Sequence, residues 1–185
     1  MIEKLSEIVK IHSGLIISRE RAIMYRKTQY NVLNYRSVTD EASIDVDRLD
    51  KLFLNDNINK KFITNENDII LKTVYPFKAV LISKKETGIL VTSNFCKIVC
   101  SDRILPEYLV ACLNSEKIDQ ILKIESKNQS MNQLSIKDLE KIEIEVYSTD
   151  KQKAIANLYN NYLKRIQLTK TILEKEQRII KNIYK

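Results

Sequence analysis

The sequence predicts an α+β fold, a domain with a mixed, mostly antiparallel sheet and short helices, followed by one long C-terminal helix that forms a coiled coil. Three observations predict it. Short runs rich in branched and aromatic residues recur between turn signals through the first hundred residues. Ile142, Ile144 and Val146 alternate with Glu143, Glu145 and Tyr147, the period of a half-buried strand. From Gln152 to Lys185 no glycine or proline occurs, and apolar residues recur at alternating four- and three-residue steps. The chain, 185 residues and 21.7 kDa, suits one domain, 1–148, with an appended helix, 149–185.

The elements follow in order. Lys4 to Gly14 reads as a short turn leading into a strand that ends at the glycine. Tyr30 to Tyr35 is a strand by its aromatic and branched content. Residues 36–60 are polar and locally acidic and read as loop with short irregular structure. Three strands are expected next, Asp68 to Tyr75, Phe77 to Ser83, and Ile89 to Cys100, the last interrupted near Ser93-Asn94. Gly88 marks the turn before the third. Pro106 sits where a first helical residue often does, and Tyr108, Leu109, Cys112 and Leu113 carry the helical period on to about Lys123. Glu125 to Gln133 is polar and breaks that pattern. Ser135 with Asp138 three residues on starts a short helix, Ile136 to Lys141.

Thr149 with Gln152 is a second capping-box match, opening the long helix. Its seam runs Ile155, Tyr159, Tyr162, Ile166, Thr169, Leu173, Glu176, Ile180 and Ile183, and Leu158, Ile172 and Ile179 widen the apolar face. At ~1.5 Å per residue, such a helix reaches roughly 50 Å and needs a partner surface.

Composition narrows the function classes. Two glycines exclude a Gly-rich phosphate-cradling loop, which needs several positions where backbone can approach a phosphate. Cys96, Cys100 and Cys112 sit among apolar neighbours and read as small buried hydrophobes; the single histidine, His12, is remote from them, and no metal site is expected. No signal-like opening and no membrane-length apolar run occur, so the reading is cytoplasmic. The net charge of +7 belongs to the tail: residues 151–185 hold nine basic and two acidic residues, whereas 1–150 hold 22 of each. The main domain is thus not a nonspecific polyanion binder by charge alone.

The order of these pieces resembles the target-recognition domain of type I restriction-modification DNA specificity subunits, over nearly the whole chain. The residues that carry the resemblance are Leu5-Ser6-Glu7-Ile8 with Ile11-His12-Ser13-Gly14, then Asn67-Asp68-Ile69-Ile70, then Pro106-Glu107-Tyr108-Leu109 running to Leu113-Asn114-Ser115. Gln133-Leu134-Ser135-Ile136 through Ile144 resembles the family's last short helix and strand, and Lys151-Gln152-Lys153-Ala154-Ile155-Ala156 the start of its spacer helix. Asn67 departs from the family's usual glycine, Val146 to Asp150 replaces a proline-rich step, and one recognition domain stands where two are usual. A half-subunit, a single-domain relative and a fragment all remain open.

The resemblance implies a non-catalytic component that chooses the site, while partner subunits methylate adenine N6 from S-adenosylmethionine and cut DNA. No cofactor is then expected in this chain; double-stranded DNA and a methyltransferase subunit are the expected partners, a restriction subunit a further one, and no membrane. The sequence itself holds no Pro-Pro-aromatic run for an adenine amino group, and Asp102 with Glu125-Ser126-Lys127 outlines a nuclease site only by chance, in what reads as a polar loop after a helix end.

Base edges are read by Arg, Lys, Asn and Gln. The densest such set is Lys127, Asn128, Gln129, Ser130, Asn132 and Gln133; Arg19, Arg21, Arg26 and Lys27 form the most basic run of the domain. Lys72 and Tyr75, at a strand end, complete the candidates, with His12 a weaker one. Solvated loop and plain surface charge are the competing readings. For the helix, packing along Ile155, Tyr159, Tyr162, Ile166, Leu173, Ile180 and Ile183 is favoured over gripping DNA, with two copies pairing as a homodimer to read a split, inverted target. A second reading keeps the fold but makes it a regulatory, methyltransferase-binding protein without DNA reading.

Overall fold

A computed structural model describes residues 1–19, 27–127 and 133–183. The elements are β1 (Ile2–Lys4), α1 (Leu5–Ile8), β2 (Val9–Ser13), β3 (Lys27–Val32), β4 (Asp50–Asn55), β5 (Ile69–Lys72), β6 (Ala79–Leu81), β7 (Phe95–Cys100), α2 (Pro106–Leu113), α3 (Glu116–Lys127), α4 (Ile136–Glu140), β8 (Glu143–Glu145) and α5 (Thr149–Asn182). β2, β7, β5 and β6 form a four-stranded antiparallel sheet in that order; β3 pairs with β4 and β1 with β8, also antiparallel. Parallel bridges at Leu15–Thr92 and Val32–Leu90 make the β structure mixed.

One face of the central sheet, with Ile69, Leu71, Cys96 and Ile98, packs on α1, α2, α3 and α4; Ile70, Val80 and Phe95 face a second cluster with Leu33 and Ile44. In α2 the helical period buries Tyr108, Leu109 and Leu113, and Pro106 stands in its first turn, where a missing N–H costs nothing. Ile144 is buried between exposed Glu143 and Glu145, as the alternation requires.

Four expectations change. The segment 36–60 contains β4: Leu52 and Leu54 point toward Leu15, Val32 and Leu90 while Phe53 is exposed, a two-residue apolar face too short to stand out in a polar stretch. The strand expected at Tyr30 to Tyr35 runs from Lys27 to Val32, because Leu33 N–H turns to Leu90 O and the Asn34 side chain accepts from Arg36 and Ser37 N–H. The helix expected from Pro106 to Lys123 is two, α2 and α3. Asn114 ends the first by binding the Ala79 backbone twice, donating to its carbonyl at 2.8 Å and accepting its N–H at 2.9 Å. Glu125, Ser126 and Lys127 are therefore the last turn of α3 rather than loop.

The fourth change is at the root of α5. Ser148 is its N-cap, with no side-chain cap, and Gln152 is buried instead of closing a capping box with Thr149. Its Oε1 accepts Leu105 N–H at 2.8 Å, and its Nε2 donates to Arg103 O at 3.2 Å and Tyr147 O at 2.9 Å. Gln152 thus ties the helix to the loop before α2. Gln152→Ala leaves three partly buried backbone groups without this partner and is expected to destabilise the fold by about 1–3 kcal/mol. A urea midpoint that falls with an unchanged slope would register it; an unmoved midpoint would contradict it.

Candidate nucleic-acid interface

Antiparallel pairing puts the end of β2, the end of β5 and the start of β7 at one end of the central sheet: Ser13 pairs with Cys96, and Lys72 with Phe95. The chain leaves β2 there through Gly14 and Leu15. Gly14 N–H donates to Phe95 O at 3.0 Å, Leu15 N–H to Val91 O at 2.8 Å, and Ser93 N–H to Leu15 O at 2.9 Å. The approach is so close that only glycine fits, since a Cβ on Gly14 would lie 1.9 Å from Thr92 O. The turn Ile17–Arg19 follows at once, so the basic segment begins at this end.

The polar segment closes at the same place. Gln133 Nε2 donates to Thr73 Oγ1 at 3.0 Å and to Ser93 O at 2.9 Å, and Leu134 N–H donates to Thr73 O at 2.9 Å. Thr73 in turn donates from N–H and Oγ1 to Asn94 O at 3.0 and 2.9 Å. Gln133 is held by these bonds to backbone and hydroxyl groups, whereas Lys127, its counterpart at the end of α3, is exposed. Lys72 and Tyr75 flank the same end. Lys72 Nζ stands 5.2 Å from the Tyr35 ring centroid, and burial lowers its pKa. Tyr75, more than half exposed, packs edge-on against Phe77 and carries Lys123 Nζ 4.9 Å over its ring.

Tyr35 and Lys123 escape sequence reasoning. Their placement here depends on ring contacts with residues 37 and 48 positions away, and only the exposed aromatic at a strand end hinted at the first. Lys27, the first residue of β3, pairs with Asn55 on the separate β3–β4 ribbon. Arg21, Arg26, Asn128, Gln129, Ser130 and Asn132 lie outside the described residues. His12 sits on β2 opposite Lys97, one residue before Ser13 at the sheet end, with its pKa lowered by burial and then by Lys97 and Lys61.

Within the domain Lys97 of β7 and Asp68, just before β5, both almost fully buried, form an ion pair at 3.2 Å. Lys97 Nζ also donates to Ile63 O at 2.9 Å, and Asp68 accepts Asn65 N–H at 2.7 Å. Asn67, where the resemblance expects glycine, has φ +68°, the left-handed conformation that asparagine tolerates best among residues with a side chain. The turn therefore survives the change.

The helix seam divides in two. Ile155 and Tyr159 pack partly buried against the domain's own core. Beyond them the stripe is uncovered: Tyr162, Leu173, Ile180 and Ile183 are more than half exposed, as are Leu168, Ile172 and Ile179, and Leu158 beside Tyr159, with Ile166 intermediate. No described helix is long and apolar enough to cross a membrane. Among the described residues no cluster of three metal-ligating side chains occurs. Burial pushes the Cys96 and Cys100 thiols up to about 12 and raises Cys112, so all three hold their protons near neutral pH.

The likenesses to known proteins agree. The HsdS subunit from Thermoanaerobacter tengcongensis superposes with a TM-score of 0.72 at 15% identity, over 96% of this chain and 45% of that one. A chain from a type I R-M system, solved for its complex assembly and conformational transition, gives 0.70 at 15% identity over 96% and 45%. The type I S subunit from M. genitalium gives 0.57 at 16% identity over 97% and 44%. This chain spans less than half the length of each. Among curated proteins none matches it. The family model for the type I restriction modification DNA specificity domain matches residues 1–176, and the chain belongs to that family.

Proposed function

We propose that this chain selects the DNA sequence on which a type I restriction-modification assembly acts, and that it catalyses no step itself. Membership in a family of DNA specificity domains is the observation that carries the reading. A shared location supports it: the basic segment from Arg19 starts, and the polar segment that ends at Gln133 finishes, at one sheet end, beside Lys72 and Tyr75. Asn128, Gln129 and Asn132 are the groups assigned to base edges; Arg19, Arg21, Arg26, Lys27 and Lys127 bind phosphates or guanine. S-adenosylmethionine belongs to a methyltransferase partner.

Two classes of variant separate these roles. Gln129→Ala or Asn128→Ala is expected to cost about 1–3 kcal/mol at one position of the target and relax selectivity there. Arg21→Ala is expected to weaken binding to all sequences alike and lower the salt slope by about 1. Titrating duplexes into the chain–methyltransferase complex at several salt concentrations measures both. DNA affinity that is independent of this chain and of salt would instead favour a regulatory methyltransferase-binding role, which the equal acidic and basic counts of residues 1–150 keep in play.

The open stripe of α5 is assigned to a second copy, so that a two-fold dimer presents two recognition domains to a split target. Leu173→Asp would place a carboxylate in that seam and is expected to weaken self-association about tenfold or more, or ~1.4 kcal/mol. Because Leu173 is about half exposed in the single chain, its thermal stability should barely move. Sedimentation with the wild type already monomeric at tens of micromolar, alone and on DNA, would refute the pairing.

A further inference from the structure

The helix α5 touches the domain a second time, far from its root. Lys170 Nζ donates to Glu41 Oε1 at 2.8 Å. Lys170 lies 18 residues beyond Gln152, roughly 27 Å along the helix. Glu41 is the tip of a stiff loop. Thr39 N–H bonds Ser43 O at 2.9 Å, Asp45 N–H bonds Ser37 O at 2.8 Å, Val38 bridges Ile44, and Ala42 and Ile44 are buried behind the tip. The loop begins at Tyr35, the ring that lies under Lys72 and against Phe95 at the candidate DNA-facing end. Glu41 itself is only 14% exposed, so its carboxylate is more a fixed post than a solvated charge.

Gln152, Ile155, Ala156 and Tyr159 hold only the first turns of α5 on the domain, and a rod held only there can still tilt. Over a rod of ~50 Å, a tilt of about 10° displaces the tip by roughly 9 Å, more than two base-pair steps of about 3.4 Å. We propose that the Glu41–Lys170 pair is a latch that fixes the angle between α5 and the sheet end, and thereby sets the spacing between half-sites that the assembly accepts. Both residues are positioning residues, and neither is assigned a DNA contact. The spacing consequence rests on the specificity reading above, whereas the angle does not.

The test therefore has two arms. Spin labels at Glu66→Cys and Lys181→Cys, on full-length chain diluted into unlabelled protein, report the domain-to-helix distance within one molecule; the three native thiols, held protonated, are slow to label. Glu41→Gln and Lys170→Met should each raise a second distance population about fivefold relative to the first, the most that one partly buried pair sustains. The double variant should raise it no further, since both remove one contact, and Lys164→Met, about one and two-thirds turns away, should leave the wild-type distribution. Single variants without effect, or effects that add, would overturn the latch. In the second arm, wild-type assembly should methylate one spacer length, and Glu41→Gln should admit spacers one or two base pairs longer or shorter. Altered distances with an unchanged spacer preference would overturn the spacing role and leave the reading of DNA choice untouched; an assembly that methylates no target through this chain would strike that reading instead.

Discussion

Asp68→Ala is expected to remove about 3–5 kcal/mol of stability, because it leaves the Lys97 ammonium buried with its counter-charge gone. Lys97 keeps one acceptor, Ile63 O at 2.9 Å, and Asn65 N–H loses the carboxylate oxygen that it reaches at 2.7 Å. Water cannot make good the loss, since both side chains are about nineteen-twentieths covered. Lys97 lies in β7 and Asp68 immediately precedes β5, so the strain falls on the two strands whose other ends frame the candidate DNA-facing end. A paired variant, Asp68→Leu with Lys97→Met, removes both charges and should recover most of the loss, since the cost lies in the orphaned charge rather than in a missing attraction. Urea unfolding of the two variants decides it. A single variant within about 1 kcal/mol of wild type would show that the site admits water.

Gly14→Ala is expected to cost about 3 kcal/mol or more, and its effect on DNA selection should exceed its effect on stability. The added methyl would meet Thr92 O at 1.9 Å, Thr92 C at 2.3 Å and Val91 O at 2.9 Å, all backbone atoms that cannot rotate away. Relief requires the Leu15–Thr92 bridge to part, and with it the bonds of Leu15 and Ser93 that launch the basic segment from the sheet end. Gly88→Ala is the control. Its φ of +85° strains any side chain, yet nothing lies within 4 Å of the new methyl, so about 1–2 kcal/mol of backbone strain is the whole expected loss. Equal losses at the two glycines, by thermal or urea unfolding, would contradict the steric account.

These contrasts also explain what was legible in the sequence. Local signals survived folding. Ser135 Oγ accepts Asp138 N–H and Asp138 reciprocates on Ser135 N–H, as the three-residue spacing implied, and the stripe of α5 needed nothing beyond its own period. Elements decided at a distance did not show. The break between α2 and α3 depends on Asn114 finding Ala79, 35 residues away, and nothing in Leu113-Asn114-Ser115 alone discloses that bond. β4 was hidden because its partner β3, not its composition, makes it a strand. Gln152 looked like a local cap, and long-range acceptors at Arg103 and Tyr147 claimed it instead.

The candidate site shows the same division. Lys72, Tyr75 and Gln133 are candidates by their chemistry, but their common location follows from strand pairing and the Gln133–Thr73 and Gln133–Ser93 bonds. Tyr35 and Lys123 join them only through ring contacts, and Glu41 joins Lys170 across 129 residues. Residue type marks who could read DNA. Topology decides who stands together.

The decisive measurement is a genome-wide map of adenine methylation in cells carrying the methyltransferase partner with wild-type chain, with no chain, and with residues 127–133 exchanged for those of a relative. One motif should appear with the chain, vanish without it, and change in both halves alike when the segment is exchanged. An identical motif in all three would show that the choice of site is made elsewhere.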